Sequence, residues 1–231
     1  MITTMIRITL VAVFILLIHR GEYSPPPTPS RRPGREYIEV GILAACLLIT
    51  PFIKFDLFWF SGWKSAYFVL GLCAPLVMEL LVRRRHLSTI GFKLPVNRKT
   101  LAFVAGIFSL YLIARLAEPL MLGKGYHFEL RNFISITIIF PFLEEVYFRG
   151  LIQTRLESAL GAVRSWIVSG LLFGFFHFYL LYLVPGEAPD IAEALGLVYL
   201  TALGMLLGLV FAKTRSLLPS FAIHAINNFS I

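Results

Sequence analysis

The sequence has little of what disulfide-bonded, soluble or β-barrel proteins depend on. Its 231 residues include only two cysteines, Cys46 and Cys73, and both lie in apolar runs, so we expect core thiols and no disulfide framework. Charged residues make up 15% of the chain and hydrophobic residues 58%, which is too apolar for an ordinary soluble domain. The alternating pattern of barrel strands is absent. No internal repeat is present, which argues against transporters built from inverted repeats.

Long apolar runs make up most of the chain. A membrane-spanning helix needs about 20 mostly apolar residues, and backbone polar groups in lipid must be satisfied within the segment, which favours helices. The sequence therefore predicts an all-α, polytopic integral membrane protein with about eight transmembrane helices. The predicted spans lie near Ile2–Ile18, Tyr37–Ile53, Ser65–Val82, Leu101–Leu122, Asn132–Gln153, Trp166–Val184, Ala194–Ala212 and Leu217–Phe229.

The net charge of +8 is spread unevenly over the connections between these spans. Odd-numbered connections hold most of the flanking Lys and Arg, including Arg155 and Arg164 after the fifth span. The connection after the sixth span holds Glu187, Asp190 and Glu193 and no basic residue. The positive-inside rule then places the odd connections in the cytoplasm and both termini outside. This topology accounts for the basic residues, so we expect the lipid bilayer and no nucleic acid as a partner.

A polar segment separates the first two predicted spans. Gly21–Arg35 contains a run of prolines followed by basic residues, which is typical of a polyproline-like linker. We therefore expect residues 1–36 to form an N-terminal membrane helix with a Pro-rich basic linker, and residues 37–231 to form one multi-helix membrane domain. Ile8–Ile18 could alternatively be the apolar region of a signal peptide, but Leu17–His19 is a poor cleavage site, so a retained helix is favoured.

The fifth predicted span carries Glu144, Glu145 and Arg149 within an apolar run. Ionisable groups at that depth are costly, and they occur where they pair, bind or catalyse. Glu145 and Arg149 share one helix face and can form an ion pair. Glu144 projects about 100° away from Glu145, which leaves it unpaired and available for chemistry. A structural charge cluster at a helix contact is the alternative for Glu145 and Arg149.

Polar residues also occur on the sixth span. His177 lies one turn after Phe173, and Gly170 and Gly174 on the same face allow another helix to approach closely. Taken alone, a histidine on an apolar face is more often a satisfied core residue than a catalytic one.

The last span carries His224 and Asn228 on one face, and both side chains can donate hydrogen bonds. Asn227 points elsewhere, and we expect it to bond a neighbouring backbone group. Counted from the cytoplasmic ends of their spans, Glu144, His177 and His224 lie at similar depths near the bilayer midplane. We therefore expect them to line one polar catalytic cavity within the bilayer.

Three motifs on three separate spans resemble those of the CPBP family, which comprises the CAAX prenyl endopeptidases and their prokaryotic relatives and is also called the ABI family. The resemblance covers about Leu87 to Asn228. The order and spacing match throughout: Glu144-Glu145-x-x-x-Arg149, Phe173-x-x-x-His177 and His224-x-x-x-Asn228.

The resemblance implies a glutamic intramembrane endopeptidase in the cytoplasmic membrane of a prokaryote. It implies that Glu144 and His177 activate a water molecule and that His224 and Asn228 stabilise the oxyanion. The supporting positions are Glu145, Arg149 and Phe173. The substrate would be a membrane-associated or lipidated peptide or protein, and no cofactor or metal is expected.

Two alternatives remain open on the same residues. Glu144, His177 and His224 could hold a catalytic zinc ion, although no H-E-x-x-H pair is present. The polar cluster could also belong to a non-proteolytic transporter or membrane scaffold. Serine and cysteine proteolysis are disfavoured, because no serine in these motifs has a neighbouring base and both cysteines lie on earlier spans.

Overall fold

A computed structural model describes residues 2–20, 23, 33–54, 56, 62–82, 84, 86–94, 98–121, 123 and 129–229. Within these ranges all regular secondary structure is helical, which confirms the predicted all-α class. Short 3₁₀ turns occur at Thr50–Phe52 and Leu87–Ile90. The described ranges form eight helical segments: α1 (Ile2–His19), α2 (Pro33–Ile49), α3 (63–82), α4 (Arg98–Met121), α5 (130–160), α6 (Ala162–Leu183), α7 (Ile191–Thr214) and α8 (Leu217–Asn228).

Three of the described helices are long and apolar enough to cross a membrane, namely Lys64–Leu81, Ala162–Leu183 and Ile191–Thr214. Thr4–His19 and Val104–Ala117 are apolar but shorter. Helix α5 has the length for a span, but Glu144, Glu145 and Arg149 make its apolar run more polar than those of α6 and α7. The further spans, and the orientation of the termini, stay predictions.

Helix α5 changes its hydrogen-bonding pattern around the paired glutamates. Phe133–Ile139 and Val146–Gln153 are π-helical, and the α-helical turn Phe140–Glu145 lies between them. Pro141 lies in that turn and lacks an N–H, so it cannot continue the regular ladder. Wider π turns of this kind are often found at functional sites.

Glycines bring α6 and α7 into close contact, as the sequence predicted. A Cβ atom at Gly170 would lie 2.6 Å from the backbone nitrogen of Met205, and one at Gly174 would overlap Thr201. Backbone-to-backbone packing of this type is common where small residues recur at four-residue intervals. It fixes the face of α6 that carries Phe173.

Helix α1 packs against α7. Val11, Phe14 and Ile18 are buried in the same apolar cluster as several α7 side chains. At the end of α1, the Nζ atom of Lys213 lies 3.4 Å from the centroid of the Tyr23 ring.

The predicted linker boundary differs from the structure. Helix α2 begins at Pro33, so the predicted division between residues 36 and 37 falls inside a helix. Proline suits the first turn, since the N–H that it lacks has no partner there. Residues 24–32, which hold most of the predicted linker, lie outside the described ranges, and the division into two parts stays a prediction.

The turn at Leu87–Ile90 helps to position α8. Gly91 follows it with a φ of +96°, and a Cβ atom there would lie 2.6 Å from the Phe211 ring. The backbone nitrogen of Leu217 donates to the Gly91 oxygen at 2.9 Å. The start of α8 is therefore bonded to this turn.

Candidate active site

The predicted ion pair between Glu145 and Arg149 is present. The Arg149 Nε atom lies 3.3 Å from Glu145 Oε2, and both side chains are fully buried. Arg149 Nη1 also donates to the Ser169 hydroxyl on α6 at 2.9 Å, and its guanidinium carbon lies 5.4 Å from the centroid of Phe173. Arg149 therefore neutralises Glu145 and holds α5 against α6.

The second oxygen of Glu145 binds His224. Glu145 Oε1 lies 3.0 Å from His224 Nδ1, and His224 is 2% exposed. An ionised carboxylate only accepts hydrogen bonds, so Nδ1 carries the proton of this bond. Glu145 thus orients the imidazole of α8, a contact that the sequence did not predict for it.

Glu144 faces the same imidazole from the other side. Its Oε2 atom lies 3.7 Å from His224 Nε2, which is longer than a hydrogen bond. Its Oε1 atom accepts a hydrogen bond from the Tyr67 hydroxyl at 2.8 Å. The prediction that Glu144 is unpaired was therefore wrong, because α3 supplies a tyrosine that the three motifs do not include. Tyr67 carries no sequence signal of its own, since its link to Glu144 spans 77 residues.

His177 lies beside the cluster without bonding to it. Its Nδ1 atom pairs with the Phe173 backbone oxygen at 2.9 Å, one helical turn back. Its ring centroid is 4.5 Å from that of Phe173, and Phe173 is in turn 5.6 Å from His224. Within the described part of the chain, no hydrogen bond or ion pair joins His177 to Glu144 or His224. The half-buried His177 therefore borders the site across the Phe173 ring.

Asn228 is bonded away from the two glutamates. Its Nδ2 atom donates to the Ile136 oxygen at 3.4 Å, and its Oδ1 accepts from Asn227 Nδ2 at 3.1 Å. The Asn227 oxygen accepts from the Tyr199 hydroxyl, so the expectation that Asn227 bonds a backbone group was wrong. Nothing in the described ranges hydrogen-bonds Asn228 to His224, although the two share a face of α8.

The two adjacent glutamates have different partners. Glu145 meets a guanidinium directly, whereas Glu144 meets a hydroxyl and, across a gap, an imidazole nitrogen. Among the residues that the structure describes, no three His, Cys, Asp or Glu side chains are grouped as a metal site. The zinc alternative stays a hypothesis for experiment.

Comparison with known proteins gives one family for the part of the chain that carries these residues. Residues 126–230 match a family model described as Type II CAAX prenyl endopeptidase Rce1-like. No curated protein and no solved structure matches the chain. The match covers all three motifs, and the apolar helices fit a protein that associates with a membrane. Residues 126–230 are therefore similar to the Rce1-like type II CAAX prenyl endopeptidases, which is consistent with the CAAX protease family that the three motifs resemble.

Proposed function

We propose that the chain is an intramembrane endopeptidase that hydrolyses a peptide bond of a membrane-associated or lipidated protein, with Glu144 as the general base. The observation that carries this proposal is the 3.7 Å gap between Glu144 Oε2 and His224 Nε2. A water molecule that lies to one side of these two atoms can bond to both, since each of its hydrogen bonds is about 2.8 Å long. The family match to prenyl endopeptidases supports the same reaction class.

The proposed reaction begins with that water. Glu144 Oε2 accepts its proton while the oxygen attacks the peptide carbonyl carbon, and the carbonyl oxygen becomes an oxyanion. The C–N bond then breaks, the amine leaves with the proton held by Glu144, and the other product is a carboxylic acid. Proton transfer by a positioned carboxylate contributes about 10²–10⁴-fold to such reactions.

Two further groups are proposed for the charge that develops on the oxyanion. Glu145 holds His224 Nδ1, which directs the other ring nitrogen, Nε2, toward Glu144 and the site. Asn228 follows one turn later on α8, and its 3.4 Å bond to Ile136 is long enough to be exchanged for a better acceptor. Stabilisation of this type acts mainly in the transition state.

His177 is proposed as the second group that binds the water. Its Nδ1 is occupied by the Phe173 oxygen, and within the described ranges its Nε2 has no hydrogen-bond partner. Hence only Nε2 is available to a water or a substrate.

Comparative proteomics of membrane peptides tests this proposal directly. Membranes are prepared with the wild-type protein, with Glu144→Gln, and with Glu187→Gln as a control at an exposed loop position. We expect new peptide termini in membrane proteins with the wild type and with Glu187→Gln, and none with Glu144→Gln. Equal cleavage by Glu144→Gln would contradict glutamate catalysis. The absence of new termini in all three samples would instead favour a transporter or scaffold.

A further inference from the structure

Tyr67 on α3 meets Glu144 within an aromatic enclosure. Its hydroxyl donates to Glu144 Oε1 at 2.8 Å, and the residue is 4% exposed. Its ring stacks on Phe140, with centroids 5.8 Å apart and planes 18° apart. The Tyr67 ring also stacks on Phe176, with centroids 5.4 Å apart and planes 28° apart. The hydroxyl is therefore held in place by two other helices.

This contact makes the two oxygens of Glu144 unequal. Oε1 is occupied by the Tyr67 hydroxyl, and Oε2 faces His224 Nε2. A hydrogen bond from a hydroxyl to a carboxylate is about twice as strong as one between neutral groups. A rotation of the carboxylate would break it inside a buried site.

We propose that Tyr67 is a positioning residue that holds Glu144 by Oε1 and so presents Oε2 to the reacting water. This inference rests on the proposed function of Glu144 as a base. Tyr67 lies outside the matched residues 126–230 and outside the three motifs. Helix α3 is thereby part of the catalytic arrangement as well as of the packing.

The chain offers a matched control for this residue. Tyr147 is also fully buried, and its hydroxyl donates to the backbone oxygen of Leu43 at 2.6 Å. Removing either hydroxyl leaves one buried acceptor without its donor, and both variants should therefore lose stability, with the larger cost where the acceptor is the carboxylate. Of these two hydroxyls, that of Tyr67 bonds to Glu144 and that of Tyr147 does not, so only the loss of the first is expected to alter the reaction.

The experiment compares Tyr67→Phe and Tyr147→Phe with the wild type in proteoliposomes. Tyr67→Phe should lower kcat about 10- to 100-fold, which is the range for a hydrogen bond to a charged group, with KM nearly unchanged. Tyr147→Phe should keep the wild-type kcat and KM, while its melting temperature falls.

Infrared spectroscopy gives a second readout that does not depend on cleavage. The carboxyl band that disappears in Glu144→Gln is assigned to Glu144, and its frequency is compared between the wild type and both phenylalanine variants. A band shift in Tyr67→Phe alone would support the contact even if the wild type cleaved nothing, in which case the proposed function alone would fail. An active wild type with identical kinetics in the two variants, or an unshifted band in Tyr67→Phe, would overturn the role of Tyr67.

Discussion

Two buried clusters, each with two glutamates and one arginine from or near α5, differ in their geometry. The site cluster consists of Glu144, Glu145, Arg149 and His224. The anchor cluster consists of Glu39 on α2, Glu79 on α3 and Arg155 near the end of α5. In the anchor cluster, Arg155 Nε lies 2.8 Å from Glu39 Oε2, and its Nη2 contacts Glu79. The anchor cluster lines a cavity of about 350 Å³ whose other walls are mostly apolar.

The two clusters differ in what each carboxylate meets. In the anchor cluster, both carboxylates contact one guanidinium directly, which holds three helices together. In the site cluster, Glu145 also contacts a guanidinium directly, that of Arg149. Glu144 instead accepts a hydrogen bond from the Tyr67 hydroxyl and lies 3.7 Å from the His224 imidazole. Burial of charge therefore does not by itself identify chemistry.

The largest expected effect is that of Glu144→Gln. The amide cannot accept the proton of water, so turnover should fall by about 10²–10⁴-fold or more. The folded yield and the melting temperature should change little, because the amide oxygen can still accept from Tyr67. Single-turnover cleavage and a thermal melt of the same preparation provide the comparison. If the variant lost its fold along with its activity, Glu144 would have a structural role like that of the glutamates in the anchor cluster.

Arg155→Met should have the opposite effects, a large loss of stability and a small change in turnover. It leaves Glu39 and Glu79 buried without their shared guanidinium, and breaking such a group costs about 3–5 kcal/mol of folding free energy. The melting temperature should drop strongly, while turnover per folded molecule stays within a few-fold of wild type. Replacing both glutamates by glutamine in the same chain should restore much of the stability. If turnover per folded molecule fell as far as in Glu144→Gln, the separation of the two clusters would not hold.

Asn228→Ala tests whether the site extends along α8. Loss of one oxyanion donor typically lowers turnover about 10²–10³-fold, and binding of a noncleavable peptide should weaken far less. Asn227→Ala should be milder, since its oxygen bonds Tyr199 and its nitrogen bonds Asn228. Separate measurements of cleavage rate and peptide affinity distinguish the two variants. A larger loss of turnover in Asn227→Ala than in Asn228→Ala would contradict the proposal that Asn228 is the oxyanion donor.

The smallest expected effect is that of metal removal. If Glu144 and the histidines activate water without a metal, a strong chelator should leave the cleavage rate of the wild type essentially unchanged. Elemental analysis of His177→Ala and wild type complements the assay. About one tightly held zinc ion per chain, present in the wild type and lost in His177→Ala, would favour the zinc alternative.

Helical periodicity predicted the contacts that lie within one helix. The Glu145–Arg149 pair and the small-residue face of α6 are both present as expected, because spacing alone places such groups on one side. Contacts between distant helices could not be predicted in this way. Arg155 illustrates this, since it was assigned to a cytoplasmic connection but is buried in α5 against a glutamate 116 residues away.

The sequence by itself determined the all-α class, the three motifs and the family resemblance of residues 126–230, because each depends on residue type and local spacing. Only the tertiary structure decided that Glu145 orients His224, that Tyr67 occupies one oxygen of Glu144, and that His177 lies behind Phe173. These contacts depend on the rotation and depth of each helix against its neighbours. That arrangement results from the packing of all helices together, and no single segment encodes it.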